Sequence, residues 1–202
     1  MSRSSRFISL SGLSGIIAGT AALSGAGAGY IYLGRRPFAG APLSALPGQG
    51  TFTTLSPITF FGLTAMIVLI IALAGGILPT IRRAQQQGQP VWSALSRRLL
   101  ISLLIPLSAG GIFVLALYAQ GALPLIAPTT LLFYGLSLVN AAKYTLGDVY
   151  YLGLSEIALG LISAFLPGYG LDFWAIGFGL LHIVYGIWMW NRYERNKTPA
   201  YA

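Results

Sequence analysis

One carboxyl and one imidazole, Glu156 and His182, lie inside apolar runs of this 202-residue chain, in matching surroundings. Glu156 occurs as Gly153-x-x-Glu156-x-x-x-Gly160 and His182 as Gly179-x-x-His182-x-x-x-Gly186. On a helix, residues at i−3 and i+4 are neighbours of residue i, so each polar group shares a stripe with two glycines. The turn Pro167-Gly168-Tyr169-Gly170 separates the two runs, and Glu156 and His182 each stand thirteen residues from Tyr169. An antiparallel hairpin brings them to one height, with Gly153, Gly160, Gly179 and Gly186 expected to let the two helices touch there. Counted from the helix ends at about 1.5 Å per residue, both lie roughly 10–12 Å deep.

At that depth an ionisable side chain is costly and faces the protein interior. Hydrocarbon surroundings favour the neutral form of a lone carboxyl. A facing imidazole can take its proton, giving an ion pair, or hydrogen-bond to the neutral acid. The functional reading is a proton or cation relay. The structural one is a polar clamp between two helices, worth about 0.6–2 kcal/mol. The clamp comes first, because a transport path needs further polar groups and the other runs offer few.

Those few are mild. Asn140, Thr64, Ser102, Ser108 and Ser137 can bond neighbouring helices. Pro106, followed by Gly110-Gly111, interrupts a helical ladder where a kink could open a cavity. Lys143 and Asp148 flank a short turn. Asp148 is placed to cap the helix that follows it. Lys143 reads as a snorkelling anchor within reach of Asp148 or a lipid phosphate. Near the N-terminus, Ser11, Gly15 and Gly19 repeat every four residues, as do Ser14, Ala18 and Ala22. Small residues at this spacing let helix backbones approach closely. Packing against the chain's own helices is preferred to an oligomer seam.

The elements that hold these groups are membrane spans. Hydrophobic residues make up 55% of the chain and charged residues 8%, against about 25% in soluble domains. Sixteen charged side chains cannot cover a globule of this size. Six apolar stretches are expected at about residues 7–33, 58–81, 99–118, 125–142, 149–166 and 171–190. Each meets the length of about 17–25 residues that a crossing helix requires. Backbone groups facing lipid must be paired within their own segment, so the runs are helices. The expected fold is all-α, a six-span transmembrane helical bundle forming a single domain over residues 1–202.

With the N-terminus inside, ten of the twelve Lys and Arg residues fall on the inner side and only Arg35 and Arg36 outside. The positive-inside rule then puts both termini in the cytoplasm. Tyr118, Tyr169 and Trp174 mark outer ends of spans, and Tyr150, Tyr151, Trp188 and Trp190 inner ends. Arg3 and Arg6, an apolar run and Ala26-Gly27-Ala28 imitate a cleavable signal. The length of the run, its Ser and Gly interruptions and Arg35-Arg36 just beyond it favour retention. Residues 34–57, rich in Pro and Gly, read as an irregular outer loop. Residues 82–98, with four Arg and Trp92, read as an inner connector near the headgroups. No repeat relates the first three spans to the last three.

Several functions are excluded by what is missing. The absence of Cys removes disulfides, thiolate catalysis, iron–sulfur clusters and Cys-ligated zinc. One His and four acids are too few for a bis-His haem or a multi-ion cage. No phosphate-binding loop is present. No cofactor, metal site or catalytic constellation is therefore expected. The +8 charge comes as pairs beside apolar runs, which is a topology signal and no nucleic-acid footprint.

The segments Ile8-Ser9-Leu10-Ser11-Gly12-Leu13-Ser14-Gly15, Val139-Asn140-Ala141-Ala142-Lys143-Tyr144 and Gly177-Phe178-Gly179-Leu180-Leu181-His182-Ile183-Val184-Tyr185-Gly186 resemble a family of small bacterial multi-pass membrane proteins with no assigned activity. The resemblance covers the first span and the last three. It implies an uncleaved N-terminus and carries no site residues across; the expected location of the bundle is the cytoplasmic (inner) membrane. The reading placed first is a non-enzymatic structural, accessory or regulatory membrane subunit. Its partners would be the lipid bilayer and other membrane subunits or a second copy. The rival is a small proton-coupled transporter or channel using Glu156 and His182, helped by Asn140 and Lys143. A third reading is a lipid- or quinone-binding subunit with His182 as hydrogen-bond donor.

Overall fold

A computed structural model of the chain describes residues 12–40, 55–86, 92–145 and 147–193. Among them every regular element is helical. The helices are α1 (Gly12–Leu33), α2 (Pro57–Gln86), α3 (Ala94–Ala119), α4 (Ile126–Ala141) and α5 (Asp148–Phe165). Span six follows as α6 (Gly170–Trp174), a π-helical stretch (Ala175–Leu181) and α7 (His182–Tyr193). Six stretches are long and apolar enough to cross a membrane, the last being Gly170–Arg192. Span four is α4 with a 3-10 turn at each end, Leu123–Leu125 and Ala142–Tyr144.

The spans match the apolar runs, with helices overrunning them where no breaker intervenes. Residues 7–11 of the expected first span lie outside the described residues. α2 continues to Gln86, past Pro79 and Arg82. α3 begins at Ala94, five residues before the apolar run, because Ser93 caps it: the Ser93 hydroxyl accepts the Ser96 N–H at 3.1 Å. α3 runs as one α-helix through Pro106.

Span six lies at the centre. On one side it packs along α1 in antiparallel fashion, with Gly12, Gly15 and Gly19 against Gly186, His182 and Gly179 in turn. On the other it meets α4 and α5, which form the most extensively packed helix pair. α2 lies on the outer flank of α1 and α3 on the outer flank of α4. No described residue of α2 is buried, and in α3 only Gly110 and Leu117 are. The core cluster of Leu138, Val149, Leu152 and Met189 fills the space between α4, α5 and α7, with Tyr134, Leu181 and Tyr185 beside it.

Glycine decides how closely the central helices approach. A Cβ on Gly135 would stand 2.6 Å from the Gly153 carbonyl oxygen, and one on Gly153 would stand 2.8 Å from that of Gly135. Gly15 and Gly19, read from sequence as packing residues, pack on span six within the same chain.

Candidate functional site

The sequence-selected glycines do not line the contact between Glu156 and His182. Gly153 and Gly160 face α4, where a Cβ would meet Gly135, Val139, Pro128 and Leu132. Gly179 and Gly186 face α1, where it would meet Leu23, Gly12 and Ile16. The reason is angular. At about 100° per residue, positions i−3 and i+4 both lie about 50° to the same side of residue i. A helix can therefore offer its glycines to one neighbour and its polar group to another.

The glycine that admits the carboxyl is Gly177. A Cβ there would lie 2.5 Å from Glu156 Oε2 and 2.5 Å from Leu131 Cδ2. Gly177 sits in the π-helical stretch, where wider turns shift the register of the helix. Its carbonyl oxygen lies 3.0 Å from His182 Nδ1, five residues on.

Glu156 and His182 do face each other across the hairpin. His182 Nδ1 is 3.5 Å from Glu156 Oε1, an ion-pair distance longer than a good hydrogen bond. His182 has closer partners. Tyr134 Oη, from α4, lies 2.7 Å from Nε2. A carbonyl can only accept, so the short contact to Gly177 puts a proton on Nδ1. In the neutral imidazole Nε2 is then the acceptor and the Tyr134 hydroxyl donates to it. Phe178 lies alongside, its ring centroid 6.0 Å from that of His182 and nearly parallel, and 4.9 Å from that of Tyr134.

Glu156 is the unusual member. It is 0% exposed, and neither carboxyl oxygen has a hydrogen-bond partner. It belongs to one stripe of α5, Asp148, Leu152, Glu156, Gly160 and Ser163, all of them buried. The Ser163 hydroxyl and Asp148 Oδ2 on that stripe are likewise buried without a hydrogen bond.

The remaining sequence-selected residues fall elsewhere. Asn140 donates from Nδ2 to the Ser102 carbonyl at 2.8 Å, tying α4 to α3. Lys143 Nζ donates to Asn140 Oδ1 at 3.4 Å and is exposed, so neither it nor Asn140 joins the Glu156–His182 contact. Asp148 is not the cap of α5. Gly147 holds that position, and Asp148 is the first helical residue. Its Oδ1 instead accepts from Arg192 Nη1 at 3.1 Å, which ties α5 to α7. The acid is favourable at the helix start in either role, but the arrival of α7 alongside supplies a cation that local sequence does not reveal.

Two participants went unselected. Tyr134 is a hydroxyl within an apolar run, and that alone was the available signal. Asp172 is one of four acids in the chain and is 3% exposed at the start of α6. Its Oδ1 accepts from Tyr30 Oη at 2.6 Å and from the Phe38 N–H at 2.7 Å. Phe38 has φ of 58°, a strained backbone for a bulky residue, and this bond holds it there. Arg35 Nη2 donates to the Gly168 carbonyl at 3.2 Å.

Asp172→Ala is expected to free residues 34–40 from α6. Losing both hydrogen bonds raises the open population by ~10-fold or more, about 1.4 kcal/mol at least. Trypsin cleavage after Arg35 in detergent should accelerate accordingly. An unchanged rate would show that the Arg35–Gly168 bond holds the segment without Asp172.

Span six is thus tied at three heights to three helices: by Asp172 to α1, by His182 to α4 and by Arg192 to α5. With six helices long and apolar enough to cross a membrane, the chain is a helical bundle of multi-pass membrane type. Comparison with protein-family models, with curated proteins and with solved structures finds no match to the chain.

Proposed function

We propose that the chain is a non-enzymatic membrane subunit of structural, accessory or regulatory kind, seated in the inner membrane with both termini in the cytoplasm. One observation carries this reading. The polar groups of span six are engaged in binding α1, α4 and α5 to one another. Interhelical polar contacts of this type each contribute about 0.6–2 kcal/mol and fix which helices are neighbours. The bilayer is the first partner. Other membrane subunits or a second copy are the next, and α2 and α3 present apolar flanks on which either lipid or protein can lie.

A second reading, proton-coupled transport, draws on one feature, the buried Glu156 oxygens that make no hydrogen bond. Purified protein in liposomes with an internal pH-sensitive dye separates the two. The subunit reading expects proton flux equal to that of empty liposomes under an imposed gradient. Flux above that level which disappears in Glu156→Gln would replace it with the transport reading. Isolation from native membrane then identifies co-purifying chains, and recovery of the chain alone at every detergent strength would count against a subunit of a larger assembly.

A further inference from the structure

We propose that Glu156 and His182 share one exchangeable proton, with Tyr134 as the reversible hydrogen-bond partner on the far side of the imidazole. This goes beyond a structural tie and stands whether or not protons cross the membrane. The scaffold needs only the contacts of His182 to Tyr134 and Gly177. Glu156 adds no hydrogen bond to it, yet is enclosed at 0% exposure with neither oxygen hydrogen-bonded and Oε1 3.5 Å from His182 Nδ1. Burying a carboxyl without a hydrogen bond is expensive. A purely structural position would be filled more cheaply by Leu or Met.

The contacts of His182 define two states. In one the ring is an imidazolium: Nε2–H donates to Tyr134 at 2.7 Å, and Nδ1–H lies between the Gly177 oxygen at 3.0 Å and the Glu156 carboxylate Oε1 at 3.5 Å. In the other, the Nδ1 proton has crossed to Glu156 Oε1. The N–H bond breaks, the O–H bond forms, and a neutral imidazole keeps Nε2–H on Tyr134 while Nδ1 accepts from the carboxyl instead of donating to Gly177. One proton changes place between two atoms 3.5 Å apart. Where a neutral ring instead keeps its proton on Nδ1 for the Gly177 oxygen, Nε2 is the acceptor and the Tyr134 hydroxyl turns to donate. A rotatable phenol suits this role because it can both give and receive.

Few other charged groups intrude. On α4 the titratable neighbour is Tyr134, and on span six they are His182 and Tyr185. The Asp148–Arg192 pair lies two turns away at the end of α5, and Asp172 with Tyr30 lies at the opposite end of the bundle. α1 presents to His182 the glycine surface around Gly15.

The chain contains a single His, so nitrogen-15 histidine labelling reports on His182 alone. The full-length protein, purified through a His-free tag into lipid nanodiscs, is followed by nitrogen NMR as pH is varied. The expected result is a doubly protonated ring at one end of the range passing to a singly protonated ring at the other. In Glu156→Gln the doubly protonated signal is lost over the same range, since the carboxylate that stabilises it is gone. In Tyr134→Phe the transition persists with the Nε2 resonance displaced. Should Glu156→Gln not assemble, Glu156→Asp withdraws the carboxyl by one methylene and is expected to shrink the doubly protonated population. Identical spectra for parent, Glu156→Gln and Glu156→Asp at every pH would overturn the proposal. So would a change driven by sodium at fixed pH, which would make Glu156 a cation ligand instead.

Discussion

Gly153→Leu and Gly186→Leu each lower the thermal midpoint in detergent much further than Leu181→Ala. A Cβ at Gly153 would stand 2.8 Å from the Gly135 oxygen and 2.9 Å from the Val139 nitrogen. One at Gly186 would stand 2.7 Å from the Gly12 oxygen and 2.8 Å from the Ile16 nitrogen. These are backbone atoms, which cannot swing aside as a side chain can. The helices must separate along their length, and the packing on both sides of the crossing is lost with them. Overpacking by a methylene or two costs about 1–3 kcal/mol, so a whole isobutyl group is expected at or above the top of that range. Leu181 is only half-buried beside the core cluster, so its truncation falls near or below about 2 kcal/mol, the low end for core leucines. Gly27→Ala and Gly62→Ala are the controls. Nothing lies within 4 Å of a Cβ at either position, and the helix gains up to about 1 kcal/mol from the better helix former. Midpoints for the Leu variants equal to the parent's would show that close glycine contact does not hold these helices together.

Glu156→Met leaves the protein as stable as the parent or more so, whereas His182→Phe destabilises it. The two residues face each other, but the structure divides the work unequally. Glu156 makes no hydrogen bond, so replacing it by an apolar side chain of similar length removes a desolvation cost and no bond. A buried polar group without a hydrogen bond costs about 1–3 kcal/mol, and His182 keeps its contacts to Gly177 and Tyr134 when Glu156 is replaced. His182 takes the Tyr134 hydroxyl and reaches the Gly177 carbonyl. Phe keeps the ring but leaves the phenol without its partner, and an unsatisfied buried hydroxyl costs about 1–3 kcal/mol. Tyr134→Phe, which removes that hydroxyl, should lie between the two. Unfolding in mixed micelles of rising sodium dodecyl sulfate content measures all three. The opposite order, with Glu156→Met the most damaged, would mean that the carboxyl is the clamp and the imidazole its passenger.

These expectations differ from what the chain suggests when read linearly, and the difference has a geometric source. Glycine at i−3 and i+4 around both Glu156 and His182 looks like a seam for one hairpin. In the fold it serves two seams: Gly153 and Gly160 admit α4, and Gly179 and Gly186 admit α1. A pattern of spacing locates a stripe on a helix but not the helix that will lie on it. The same limit explains Asp148. A carboxyl at a helix start suits a cap, and only the approach of α7 gives it Arg192 instead. Asp172 and Tyr30 are 142 residues apart, and no local signal joins them.

The six apolar stretches, and the shared height of Glu156 and His182, were already determined by the order of residues. Hydropathy summed along a run is a local quantity, and equal distances from a tight turn fix equal depth in a hairpin. Which neighbour each stripe meets was decided by the tertiary structure alone. It depends on the rotation of every helix about its axis, on the π-helical stretch that turns the Gly177 carbonyl toward His182, and on the arrival of Tyr134 from a helix 48 residues earlier. Rotations of about 50° change the partner without changing the pattern, so the chemistry at Glu156 is set by packing that no single segment encodes.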